Sequence, residues 1–152
     1  MRSERLLHRL LSSSQDGRAS VQLHGDESVE YVSKLKDRCF SVIKAFAINK
    51  DFDFNLLSEY SPFVDYFLFD TKGEKRGGSG EKFDWELLNN YKQTKAFFLS
   101  GGIGMEDVNQ LKGLKGSNIY GIDVNSRFEL SPGNKDVNVI ENFTNEFYGK
   151  ID

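Results

Sequence analysis

Five short apolar runs recur at a nearly regular interval, and this beat limits the folds open to the chain more than any other feature. Val21 to Leu23, Val42 to Phe46, Tyr66 to Phe69, Ala96 to Leu99 and Ile119 to Val124 begin 21, 24, 30 and 23 residues apart. Each run is short, rich in branched or aromatic residues and lacks clean alternation, as a strand buried on both faces does. Between them lie positions at helical spacing: Val29, Val32 and Leu35; Phe54, Leu57 and Tyr60; Trp85, Leu88 and Tyr91; Val108 and Leu111; then Val137, Ile140, Phe143 and Phe147. Strand alternating with helix requires right-handed crossovers and so a parallel sheet. No Asn-Gly or Asp-Gly hairpin signal falls between the strands, which counts against an antiparallel arrangement. The expected fold class is α/β, as a doubly wound open sheet or as part of a β/α barrel.

Composition narrows the partners. The chain has 152 residues with 38% hydrophobic content, enough for one domain and not two. With 13 Phe, 6 Tyr and a net charge of -3, it is too aromatic and too weakly charged to lack a core. Lys and Arg number 20 against 23 Asp and Glu, so the basic excess that tracks nucleic-acid phosphates is missing and no nucleic-acid partner is expected. A single cysteine, Cys39, excludes an internal disulfide framework and a multi-cysteine zinc site. A reducing, cytoplasmic setting is therefore expected, with no metal. No apolar run approaches the ~20 residues that span a bilayer, and no membrane partner is expected.

Residues 1–20 differ from the rest. They hold Arg2, Arg5, Arg9 and Arg18, four of seven arginines, and no lysine, whereas all 13 lysines lie between Lys34 and Lys150. The segment reads as a leader of different origin, helical or disordered, ahead of a body spanning 21–152. Leu6, Leu7, Leu10 and Leu11 predict an amphipathic helix over 3–12. Arginine and serine enrichment also suits an organellar presequence.

In either α/β architecture ligands collect at the carboxyl ends of the strands, and here those ends are polar. They carry Gln22, His24 and Gly25; Lys44; Asp70 and Thr71; Ser100, Gly101 and Gly102; and Asp123, Asn125 and Ser126. A carboxyl group in the position of Asp70, partly desolvated under a lid, is raised toward the working pH and can donate a proton. Read alone, Asp70-Thr71 is a strand end closed by an Asx-type turn. Gly101-Gly102 and Asn125-Ser126 fit a phosphate clamp, with glycine N–H groups close to the anion and a short helix starting after the last strand. Gly77, Gly78 and Gly80 lie among Lys72, Lys75, Arg76 and Lys82, ahead of Asp84, which can cap the next helix. They read equally as a flexible lid or a solvated linker. Cys39 precedes a strand, at the wrong end for this chemistry, and is expected to be an ordinary partly buried thiol.

The motifs together carry a resemblance. Val21-Gln22-Leu23-His24-Gly25-Asp26-Glu27, Ile43-Lys44-Ala45, Phe69-Asp70-Thr71, Gly77-Gly78-Ser79-Gly80, Leu99-Ser100-Gly101-Gly102 and Gly121-Ile122-Asp123-Val124-Asn125-Ser126 stand in one order, followed by Glu129, Pro132-Gly133 and Lys135-Asp136. In this order the chain resembles the phosphoribosylanthranilate isomerases over residues 21 to about 148. The resemblance implies a (β/α)8 barrel, of which these strands are the fourth to the eighth, and an Amadori rearrangement in tryptophan biosynthesis that needs no cofactor. It implies Asp70 as the general acid, with Gln22, His24, Gly78 and Asp123 lining the substrate and Gly101, Gly102, Asn125 and Ser126 holding its phosphate. Arg127 stands where the family often has a small residue.

The family's first strand, with its Lys-Ile-Cys-Gly type motif and general-base cysteine, has no counterpart here, nor has the arginine of the second strand. The expectation is thus a partial barrel lacking its first three units. Such a chain would have open sheet edges at the Val21 and Ile119 strands. Its partners would be a phosphorylated small molecule and either further copies of itself or a complementing N-terminal half.

Overall fold

All five apolar runs form strands of one sheet. The structure is a computed structural model describing residues 9–11, 19–38, 40–71, 84–114 and 116–149. Chain order runs β1 (Arg9–Leu11), β2 (Ser20–Leu23), α1 (Val29–Asp37), β3 (Ser41–Ile48), α2 (Leu57–Tyr60), β4 (Tyr66–Thr71), β5 (Phe97–Leu99), α3 (Val108–Gly113), β6 (Ile119–Ile122), β7 (Glu129–Ser131), β8 (Asn134–Lys135) and α4 (Val137–Tyr148). The main sheet has the order β1-β2-β3-β4-β5-β6, and every pair from β2 to β6 is parallel.

Two features depart from the sequence reading. Arg9–Leu11 is a strand, paired antiparallel with β2 through Leu10 opposite Val21, and not part of a helix. Leucines at i, i+1, i+4 and i+5 satisfy a helical pattern, but backbone groups on the free side of β2 offer an edge that only the folded sheet presents. The Val21 strand is therefore covered, and among the described residues β6 is the open parallel edge. The second departure is a small antiparallel hairpin, β7 with β8. Its turn, Ser131 to Asn134, has Gly133 at φ 80, the left-handed value that the third position of a type II turn requires after proline. Cys39 and the stretch with Gly77, Gly78 and Gly80 lie outside the described residues, as do residues 3–8 and 12 of the expected leader helix.

The sheet carries unequal apolar loads on its two faces. On the helix side Val21, Leu23, Val42, Ile48, Phe67, Phe69, Phe97 and Leu99 join Val32 of α1, Leu57 of α2, Leu111 of α3 and Phe143 and Phe147 of α4 in one buried core. Phe67, Phe69 and Leu99 are wholly buried there. Among the described residues, the opposite, inner face holds a small cluster of Ile43, Ala45 and Leu68 with Tyr66 and Phe98 against it. It ends at the open edge in Tyr120, 60% exposed, whose ring lies 4.3 Å from that of Tyr66.

The helices begin where side chains can satisfy free N–H groups. Ser28 accepts from Tyr31 N, and Asp136 from the N–H groups of Asn138 and Val139. Asp84 caps as expected, accepting from Glu86 N, but what it starts is a 3₁₀ helix, Trp85–Asn90. Val137, expected on the buried stripe of α4, is 62% exposed in its first turn.

Because the helix-side face holds the main core, Phe67→Ala should lower unfolding free energy by about 3–5 kcal/mol in urea titrations. Tyr120→Ala should cost less than about 1 kcal/mol, since its ring already meets water.

Candidate active site

Parallel strands bring their carboxyl ends to one rim, and their register fixes which side chains meet there. Ala47 stands opposite Asp70. The ladder continues past the printed strand ends, with Ser100 N donating to Phe69 O and Asp123 N to Leu99 O, both at 2.8 Å. Asp70, Ser100 and Asp123 thus arrive side by side on the inner face, and the Ser100 hydroxyl lies 3.3 Å from Asp123 Oδ2. His24 follows β2 directly, close enough for Asp70 and Asp123 to act on its charge. Between His24 and Asp70, β3 contributes the small side chains of Ala45 and Ala47 to that face. Gln22, buried and opposite Ile43, sits lower on the same face.

His24 is held below its ordinary pKa chiefly by partial burial; Asp70 raises it, Lys44 lowers it, and Glu27 and Asp123 raise it. The uncharged imidazole is thereby favoured.

Lys44 corrects the sequence reading that placed it among the rim groups. It alternates with Ile43 and Ala45 and so faces the helices with Val42 and Phe46. Its ammonium meets the Glu27 carboxylate at 3.1 Å, with the two side chains only 3% and 6% exposed. It also donates to the carbonyls of Gly25 (2.8 Å) and Ala45 (3.0 Å) and lies 4.7 Å from the Phe46 ring centre. Glu27 in turn accepts from Gly25 N at 3.0 and 3.1 Å. Burial alone would push Glu27 up, but Lys44 and the backbone donors outweigh it and hold the carboxyl below its ordinary value. Burial lowers Lys44, and Glu27 opposes that.

The loops after β5 and β6 lie side by side. Gly101 and Gly102 adopt φ of 100 and 62, consecutive left-handed positions that glycine accepts without strain. Asp107, buried, accepts from Gly104 N at 2.7 Å and fixes the far end of that loop. Asn125 caps the backbone of a single 3₁₀ turn, Ser126–Phe128, in place of the expected short helix, and Ser126 is its exposed first residue. Arg127 pairs with Glu106 across the two loops. Lys135 donates to Asn125 Oδ1 at 2.8 Å and to Glu129 Oε1 at 2.7 Å. Gly78 lies outside the described residues and joins nothing here.

The family model for N-(5'phosphoribosyl)anthranilate (PRA) isomerase matches residues 10–146. The chain belongs to the PRA isomerase family. The N-(5'-phosphoribosyl)anthranilate isomerase of Parabacteroides distasonis is 47% identical over 123 residues, covering 81% of this chain and 56% of the relative. That of Phocaeicola vulgatus is 39% identical over 142 residues, covering 93% and 69%. Among solved structures, phosphoribosyl anthranilate isomerase from Thermus thermophilus superposes with a TM-score of 0.68 at 26% identity, covering 85% of this chain and 60% of that one. A PRA isomerase in complex with reduced 1-(o-carboxyphenylamino)-1-deoxyribulose 5-phosphate gives 0.66 at 30% identity, covering 86% and 60%. This member thus spans between 56% and 69% of the length of these relatives.

Glu27 and Lys135 stand within the sequence motifs, yet local pattern assigns neither a structural part. The signal for the first was present: a lysine inside the run Val42-Ile43-Lys44-Ala45-Phe46 must be buried, and a buried ammonium needs an acid nearby. Removing one partner leaves the other charge buried and unpaired, so Lys44→Ala should cost about 3–5 kcal/mol in chemical denaturation. The sign of the acid response follows from Glu27. A carboxyl lowered in the fold stabilises above its unfolded value, near 4.5, and that contribution is lost as pH falls through the lower folded value. Melting temperature should therefore fall less steeply below pH 4.5 in Glu27→Gln, itself less stable at pH 7, than in the parent.

Proposed function

We propose that this chain supplies strands four to eight of a phosphoribosylanthranilate isomerase barrel, and with them the general acid and the phosphate site. The observation that carries this reading is the meeting of Asp70 with Ser100, Asp123 and His24 at the rim beside the Gly101-Gly102 loop. The reaction is the Amadori rearrangement of N-(5'-phosphoribosyl)anthranilate to 1-(2-carboxyphenylamino)-1-deoxyribulose 5-phosphate, a step of tryptophan biosynthesis. Asp70 protonates the ribose ring oxygen as the C1'–O4' bond breaks and the anilino nitrogen forms a C=N bond. A base then takes the C2' proton, and the enolamine tautomerises to the ketone with a proton added at C1'. Atoms balance within the substrate, and no cofactor enters.

Gln22, His24 and Asp123 line the substrate, and Gly78, outside the described residues, is assigned to it by the family resemblance alone. The phosphate is held by backbone N–H groups of Gly101 and Gly102 and by Asn125 and Ser126. The general base and the cation for the anthranilate carboxylate come from a complementing segment with the first three β/α units. Its place is the free edge of β6, where a groove of about 240 Å³ runs between Ile119, Tyr120, Leu111, Leu114 and Phe147. A second reading, a non-catalytic half-barrel that self-associates and retains only phosphate binding, is favoured by that same edge and by exposed Tyr120. Hydrophobic contact there contributes ~25 cal/mol for each Å² covered.

Fluorescence assays of anthranilate conversion separate the two. The chain alone should convert little, and mixing with a chain carrying the first three units of a relative should restore turnover that Asp70→Asn abolishes. Conversion by the chain alone at the rate of whole relatives would overturn the complementation, and a mixture that assembles without turnover would leave the half-barrel reading. Millimolar phosphate should raise the melting temperature by mass action, and Gly102→Pro should remove the shift. A shift unaffected by that change would take the clamp away from Gly101-Gly102.

A further inference from the structure

We propose that the buried Lys44–Glu27 pair is a positioning device, which fixes the loop from Gly25 to Glu27 and so holds His24 at the rim, across β3 from Asp70. This deepens the reading of that rim as the substrate mouth and rests on it for its purpose, though not for its test.

The loop is short and would otherwise be free to swing about the end of β2. Instead its backbone is gripped from both sides at one residue. Gly25 donates its N–H to Glu27 and gives its carbonyl to Lys44, while Lys44 and Glu27 close the ring with their ion contact. A further hold comes from the next β/α unit, where the Tyr60 hydroxyl donates to Glu27 O at 3.0 Å. Lys44 belongs to β3, and β3 is in register with β4 at Ala47 and Asp70. The chain of contacts therefore runs from the residue after His24, through one ammonium, to the strand beside the general acid.

Stability alone does not explain such a pair. Two buried charges lose so much hydration that an apolar pair of similar volume serves a fold equally well or better. What the apolar pair cannot supply is directional hold on the Gly25 peptide. The charged groups facing His24 are Asp70 from β4, Asp123 after β6, Lys44 from β3 and Glu27 from its own loop. Asp70 acts on it more strongly than the other three, which makes the imidazole a local reporter of the distance that matters.

The test is a cycle read by proton NMR titration of His24 in the whole chain, with His8→Gln so that the second of the two histidines is silent. In the parent, Asp70→Asn should lower the His24 pKa, because a carboxylate that favours the imidazolium is removed. In Lys44→Met combined with Glu27→Leu, the melting temperature should hold or rise, but the same Asp70→Asn change should lose most of its effect on His24. The difference between the two Asp70 effects cancels the direct influence of the removed charges. An undiminished Asp70 effect in the apolar pair overturns the proposal. Should that variant not fold, hydrogen exchange at Gly25 N–H in the unchanged chain decides: protection supports the grip, and exchange at an open-chain rate overturns it. None of these readings depends on isomerase turnover, so a failed complementation assay leaves them intact.

Discussion

The register between β3 and β4 is the constraint on which the rest of the molecule depends. Residues from Ile43 to Ile48 pair with residues from Tyr66 to Thr71, which makes this the longest ladder of the sheet. Because side chains alternate, a slip of β4 by one residue against β3 would exchange the faces of β4. Asp70 would then be pressed among the helices, with Phe67 and Phe69 turned to the inner face. Phe67 and Phe69 forbid that, since together they carry much of the apolar weight of the helix side and have no comparable cover on the other.

Buried charge is placed with the same economy. Lys44 occupies a position on the helix face where Val42, Phe46 and Ile48 are its neighbours, and it is tolerated there because each proton of its ammonium finds an acceptor. The rim uses the opposite arrangement: Asp123 and Ser100 remain in reach of water, Asp70 is half-buried, and partial burial holds His24 below its ordinary pKa.

The two faces of the sheet are unequally covered. Among the described residues the helix side carries the main core, whereas the inner face holds a small cluster that ends at Tyr120 on the edge strand β6. At the other side β1 pairs antiparallel with β2, a direction that blunts an edge without continuing the parallel order.

The sequence by itself determined the number, order and direction of the parallel strands, because runs such as Tyr66 to Phe69 are too apolar for any other place and too far apart for hairpins. It also located the polar rim, since polar residues gather at or just past the strand ends: His24-Gly25, Asp70-Thr71, Ser100-Gly101 and Asp123. Local chemistry foretold the cap at Asp84, because a side chain and an N–H two residues away need nothing else. Only tertiary structure decided the rest. Arg9–Leu11 became a strand because β2 had an edge to fill, which no pattern within residues 3–12 reveals. Lys44 left the rim because alternation, set by β4, turned it toward Glu27. Asn125 and Lys135 met because a proline-glycine turn folded the chain back, and Arg127 found Glu106 on a loop 21 residues away in sequence. Short-range preferences fix what a segment is, whereas which face it shows and whom it meets are fixed by register, and register is a property of the whole sheet.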